Sequence, residues 1–255
     1  MADYNTIRTA QTGTRSAVVD QGLRAYMNRV YGLMAVGMLV TALAAWGMNV
    51  LSVSPEPTQW QLGSKYLTEF GKTLYLSPLK WVVMFAPLVM VFAFGAALSR
   101  LSVQAATVLF YAFAALMGVS ISWIFISFTS YSIIQTFLVT AIAFSGLSLW
   151  GYTTKRDLSG WGTFLLMGLI GLIVASIVNI FLQSGAMNFA ISAIGVLIFA
   201  GLTAFDTQNI KNTYLALANT DHDFLGKSAI MGALQLYLDF LNLFMFLLQF
   251  MGNRN

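Results

Sequence analysis

Residues 234–250 read LQLYLDFLNLFMFLLQF, and sixteen of these seventeen carry no charge. The exception is Asp239, near the middle of the run. About 20 apolar residues cross the hydrocarbon core of a bilayer as a helix, so the run reads as part of a membrane span. An aspartate at the centre of such a helix costs about 2.5–3.5 kcal/mol on insertion scales, so it faces the bundle interior or a watery cavity and has a partner there. Its neighbours agree with that placement. Gln235, Asp239, Asn242 and Gln249 stand four, three and seven residues apart, which puts them on one helix face. Leu, Phe and Met fill the other faces.

Working outward, the whole chain is of the same kind. Of its 255 residues, 58% are hydrophobic and 9% charged, and its mean hydropathy is +0.75. An ordinary soluble domain has about 25% charged residues. This much apolar surface does not fit inside one soluble core. Only helices or closed barrels span a bilayer, because every backbone polar group must be paired internally. The apolar runs are continuous rather than alternating, which selects helices. The absence of cysteine excludes disulfides, thiolate metal sites and cysteine nucleophiles. The net charge of +4 is scattered, without the dense basic run of a nucleic-acid binder. There is no Gly-rich phosphate loop, and a single histidine makes no histidine metal cluster. No resident cofactor is expected. His222, between Asp221 and Asp223, reads as a solvated loop residue, since adjacent loop residues rarely converge on one ion.

Seven spans are predicted, at about 30–53, 81–98, 103–126, 131–152, 161–182, 188–206 and 229–251. The sixth is expected to continue a turn or two into TQNIKN. Pro87 inside the second is expected to kink it. Residues 1–28 form a polar N-terminal tail, and 29–255 form the membrane domain. The tail lacks the early apolar core of a cleaved signal peptide. The longest loop, SPEPTQWQLGSKYLTEFGKTLYLSP, is the place for a small element outside the membrane. Gly168, Gly171 and Ala175 in the fifth span, and Gly195 and Gly201 in the sixth, are spaced for close helix approach. Trp60, Trp81, Trp150 and Trp161 read as interfacial anchors.

Orientation follows the Lys/Arg bias of the short loops. Placing the N-terminus in the cytoplasm puts Arg8, Arg15, Arg24, Arg29, Arg100, Lys155, Arg156, Lys211 and Lys227 inside. Lys65, Lys72, Lys80 and Arg254 are then outside. Nine against four favours an N-terminus inside and, with seven spans, a C-terminus outside.

Asp206 is the second acid at membrane depth, near the inner end of the sixth span. Thr203, Asp206 and Asn209 form a stripe at three-residue spacing, and Ser176 and Asn179 add polar groups from the fifth span. Asp206 on its own is compatible with a hydrated boundary residue beside Lys211. If it meets Asp239, the two carboxyls cannot both ionise cheaply and share a proton. Protonated, the pair latches two helices together. Deprotonated, it repels and admits a cation between the two carboxylates. Arg100, at the inner end of the second span, is placed to take one carboxylate and hold the opened arrangement.

The stretch LYLDFLNLFMFLLQFMG (236–252), with FDTQNIK (205–211), resembles the transmembrane Bax inhibitor motif family, and its bacterial branch most. A lone arginine in ALSRLS and a Lys-Arg-Asp turn before the fifth span add to the likeness. The resemblance implies an all-α bundle with six helices around a central seventh, in a bacterial inner membrane. It implies a pH-sensitive calcium leak, with Asp206 and Asp239 as the proton-sharing latch and Arg100 as the gating cation. Some members carry an acid inside the second helix; Trp81–Leu98 has none. Polar side chains of the path would be Gln235, Asn242, Thr203, Asn209 and Asn179. The expected partners are the lipid bilayer and the calcium ion, the expected state a monomer, and no enzyme activity is expected.

Three other readings compete. Some bacterial relatives are linked to inhibition of a membrane-bound AAA protease, a contact the polar tail would make here. Two membrane aspartates also suggest an intramembrane aspartyl protease. Its Gly-x-Gly-Asp signature is absent, however, because Leu236, Tyr237 and Leu238 precede Asp239. A proton-coupled transporter would use membrane carboxylates as relays, but no matched pair of broken helices is present.

Overall fold

The structure, a computed structural model, describes residues 2–217 and 222–255, with side chains over 20–217 and 223–255. Seven of its helices are long and apolar enough to cross a membrane. They are α1 (Ala2–Ser52), α3 (Leu79–Ala97), α4 (Val103–Ile121, continued by the short α5, Ile124–Ser127), α6 (Ser130–Thr153), α7 (Ser159–Leu182), α8 (Gly185–Leu217) and α9 (His222–Met251). The seven-span, all-α expectation holds.

The loop after α1 does carry an element of its own. Strands β1 (Val53–Ser54), β2 (Gln61–Leu62) and β3 (Lys65–Leu67) pair antiparallel in the order β1-β3-β2, and α2 (Glu69–Leu76) follows. Thr68 caps α2 by accepting from the Gly71 amide and donates to the Leu51 carbonyl, which ties this small unit to the end of α1.

Helix α9 is the most buried of the seven spans. It packs directly against α1, α4, α6 and α8, whereas α3 leans chiefly on α4 and α7 on α8. The central position of the seventh span is as expected, with four helices in close contact and two further out. The outward faces of α3 and α7 are rich in exposed Val, Leu, Ile and Phe. Those faces suit lipid, whose tails solvate apolar side chains without requiring a partner.

Tyr237 pins α9 to two neighbours. It is fully buried, edge-on to Phe110 and Phe113 of α4 at 5.7 and 5.8 Å. Its hydroxyl is 2.6 Å from Thr41 Oγ1, and Thr41 donates to the Ala114 carbonyl at 2.8 Å. One side chain thus joins α9, α1 and α4 in a place where stray polar groups would be costly.

Several helix boundaries differ from the sequence expectation. The bundle begins before residue 29, because Leu23, Tyr26 and Met27 are already buried against it. The helix preceding α9 continues through TQNIKN, as expected, and goes on further, to Leu217. Thr207, Gln208, Ile210 and Tyr214 all find partners or cover in the bundle, so this polar stretch has no reason to leave the helix. Helix α3 runs without interruption through Pro87. Between the spans, close backbone approaches fall at glycines that the spacing did not mark. A Cβ on Gly118 would lie 2.4 Å from the Thr41 carbonyl oxygen, and one on Gly151 would lie 2.3 Å from that of Ala204. Gly171, by contrast, meets nothing within 4 Å. Of the run 221–223, Asp221 and the His222 side chain lie outside the described residues; Asp223 pairs with Lys227 at 3.0 Å.

Truncating the central pin separates packing from hydrogen bonding. Tyr237→Ala is expected to cost about 3–5 kcal/mol. Tyr237→Phe should cost only ~1 kcal/mol, the size of a single interhelical hydrogen bond. Thermal unfolding in detergent reads the difference; equal losses for the two variants would remove the packing role.

Candidate functional site

Hydroxyl and amide side chains inside the bundle solve their own desolvation problem. Thr203, Thr207, Ser176, Ser192 and Asn242 each donate to the carbonyl one turn back on the same helix, at 2.7–2.8 Å. A carboxylate has no donor and cannot do this. Asp239 is 5% exposed, and its Oδ2 is buried without a hydrogen-bond partner. The group it faces is the carboxyl of Asp206, and the two side chains stand within hydrogen-bonding reach of each other across the α8–α9 contact.

The pair sits in a cleft of about 550 Å³ between α7, α8 and α9. Gln235 and Asn242 of α9 and Ser176 of α7 supply its other polar groups, and its walls are otherwise Leu, Ile and Phe. The α9 stripe therefore divides. Gln235, Asp239 and Asn242 line this cleft. Gln249 faces a second cavity of about 740 Å³ at the C-terminal end of the bundle, together with Asn188, Lys80 and Arg254. Between them stands Phe246, which lines the cleft, stacks on Phe199 at 5.7 Å and lies against Gly195.

The remaining expected site residues fall elsewhere. Thr203 is buried and bonded within its own helix. Asn209 is exposed and does not line the cleft. A three-residue step turns the helix by only 300°, so the stripe drifts away from α9 by its third member. Asn179 closes the C-terminal end of α7, accepting from the Ser184 amide at 3.1 Å. Arg100 is exposed in the turn after α3, and among the described residues it forms no ion pair with either aspartate.

The other polar residues of FDTQNIK hold α8 in rotation, a role the sequence reading did not assign. Thr207 is 2.9 Å from Ser148 of α6, whose hydroxyl is 2.6 Å from Tyr31 of α1. Gln208 accepts from the Leu158 amide and donates to the Arg156 carbonyl, both at 2.8 Å, which fixes the turn between α6 and α7. Lys211 donates to the Tyr152 carbonyl at 2.8 Å, at the last turn of α6. In the turn between α6 and α7, hydrogen bonds from the Ser159 side chain and, at 2.9 Å, from its amide hold the Asp157 carboxyl below the usual carboxylate range. The only signal for these roles was the density of polar residues beyond Asp206.

Comparison with known proteins fits this geometry. The profile of the family described as "Inhibitor of apoptosis-promoting Bax1" matches residues 23–255, nearly the whole chain. The chain belongs to this Bax inhibitor family. Among its bacterial relatives, the inner membrane protein YbhL of Escherichia coli K12 is 44% identical over 235 residues, covering 91% of this chain and 93% of YbhL. RP147 of Rickettsia prowazekii is 42% identical over 255 residues, covering 100% of this chain and 99% of RP147. The membrane protein SpyM3_0260 of Streptococcus pyogenes is 35% identical over 242 residues, covering 92% and 96%. As a Bax inhibitor family protein with seven spans, the chain lies in contact with lipid.

Gln208 and Asn209 separate the structural and solvent-facing halves of the motif. Gln208→Ala leaves a buried amide and a carbonyl unpaired and is expected to lower stability by about 1–3 kcal/mol. Asn209→Ala is expected to stay within about 0.5 kcal/mol of wild type. Melting in detergent tests both; a destabilising Asn209→Ala would return that residue to the packed interior.

Proposed function

We propose that the protein is a pH-gated cation leak pathway of the bacterial inner membrane, with calcium as the permeant ion and the Asp206–Asp239 pair as its gate. The observation that carries this reading is the meeting of two carboxyls at membrane depth, one of them with an oxygen that finds no donor. A shared proton supplies that donor and ties α8 to α9. Losing the proton leaves two like charges at short range in a poorly hydrated cleft, which either separate or draw in a cation. Stability of the closed arrangement is therefore greatest on the acid side and falls as pH rises.

The surrounding chemistry fits a leak better than a storage site. Calcium takes about 6–8 oxygen ligands. Among the described residues, no three acidic or histidine groups gather around one point. The pair with the Gln235 and Asn242 amides would hold the ion only in passing. Phe246 lines the cleft and lies between Asn242 and Gln249 along α9, and we take it as the aromatic constriction that closes the path by excluding water. The C-terminal cavity is lined by Lys80 and Arg254 without an acid, which disfavours rapid cation entry. The Lys/Arg bias supports placing the N-terminus in the cytoplasm and the cavity outside. The name of YbhL supports the inner membrane as the location.

Calcium flux into proteoliposomes, measured across about pH 5–8, is expected to rise with pH, because the proton that closes the pair is removed. Asp206→Asn and Asp239→Asn should each flatten that profile. If both variants keep the wild-type profile, the gate is not this pair. Phe246→Ala is expected to raise flux at the acid end, where the pair is closed; unchanged flux would place the constriction elsewhere.

A further inference from the structure

On the side of α9 away from the aspartate cleft lies a larger groove, of about 1040 Å³, between α1 and α6. Its walls carry small residues where the two helices face each other: Ala35 and Ala42 on α1, Ala141 and Ser145 on α6. Small residues usually let helices close on one another. Here the helices stay apart, and Phe240 of α9 forms the floor, edge-on to Phe137 and Phe144 at 5.4 Å each. From Arg24 to Ala42 the groove runs about 27 Å along α1 at 1.5 Å per residue, most of the ~30 Å hydrocarbon thickness.

The two ends differ in chemistry. The mouth at the N-terminal face of the bundle is lined by Arg24, Asn28 and Tyr152. Lys211 lies beside it, 5.3 Å from the Tyr152 ring. Among the described residues, no acid lines the groove, and Arg24 is the one charged residue in its lining. Deeper along the groove, Met34, Met38 and Leu39 replace the polar groups.

We propose that this groove binds one anionic glycerophospholipid. Its acyl portion lies along α1 over Phe240, and its phosphate sits at the mouth against Arg24 and Lys211. Charge complementarity selects the anionic headgroup: a basic residue near the membrane surface contributes about 1 kcal/mol toward an anionic lipid, or about fivefold in affinity. The flexible methionines accommodate chains of different shape.

Native mass spectrometry of the full chain in detergent tests the assignment, with palmitoyl-oleoyl phosphatidylglycerol and the phosphatidylcholine of the same chains as competing probes. The expected result is a single retained phosphatidylglycerol, preferred over phosphatidylcholine several-fold. Arg24→Gln should reduce that preference about fivefold. Arg29→Gln, an exposed arginine on the same end of α1 that does not line the groove, should leave it unchanged. Ala141→Trp, which fills the groove from α6, should abolish retention of both lipids. Equal retention of the two lipids by wild type would overturn the headgroup assignment. Undiminished retention by Ala141→Trp would overturn the location, and so would a dimer that excludes lipid, since the groove would then be covered by a second copy. Should Ala141→Trp fail to fold, Ala42→Phe fills the same space from α1 and gives the same reading.

Discussion

The constraint on which the rest of the structure depends is that a carboxyl group cannot satisfy itself inside a membrane. Serine, threonine and asparagine side chains in this bundle turn back and donate to a carbonyl one turn away on their own helix. They can therefore sit at depth on any face. Asp239 has no such recourse, because its ionised side chain only accepts. It needs protein on every side and a donor from another helix. That requirement puts α9 at the centre of the bundle and brings Asp206 across from it. It also explains why the four helices in close contact with α9 include α8, which holds Asp206.

Meeting the requirement depends on the rotation of α8, and its sequence fixes that rotation redundantly. Successive residues on a helix point about 100° apart, so the polar side chains from Asp206 to Lys211 cannot share one partner. They divide. Thr207 turns to α6 and, through Ser148, to α1; Gln208 to the turn before α7; Lys211 to the last carbonyls of α6. Each of these bonds is modest. Together they permit only one rotation, the one that turns Asp206 toward α9. The motif thus combines one residue suited to change its protonation with three that keep it in place.

The spans and the burial of Asp239 were legible because each follows from one-dimensional evidence; the centrality of the last helix and the pairing of Asp206 with Asp239 were expected only through the family resemblance. Apolar length gives the spans, and a charged residue in an apolar run gives the burial. What stayed hidden required knowing where other helices lie. Asn209 matched Asp206 in spacing, yet three steps of a helix carry it off the face that α9 covers. Asn179 matched in composition but sits at a helix end, where the Ser184 amide already claimed it. Small-residue spacing marked Gly171, which faces open space, and passed over Gly118 and Gly151, where two backbones touch. Spacing shows that close approach is permitted; only the neighbour decides that it happens. The α1–α6 groove is the reverse case, small residues on both sides with no approach.

The contact between two acids, rather than between an acid and a base, decides what the centre of this bundle can do. Had Arg100 reached the cleft, Asp239 would have a partner charged at every physiological pH, and the bond would hold whatever the proton concentration. Arg100 instead remains exposed at the end of α3, outside the cleft. In the proposed gate, the α8–α9 contact then depends on a single exchangeable proton. Such a bond is complete when the proton is present and turns to repulsion when it leaves, without any rearrangement of charge elsewhere. A permanent ion pair would stabilise the bundle at least as well. What it would lack is the second state, which the gate we propose requires of Asp206 and Asp239.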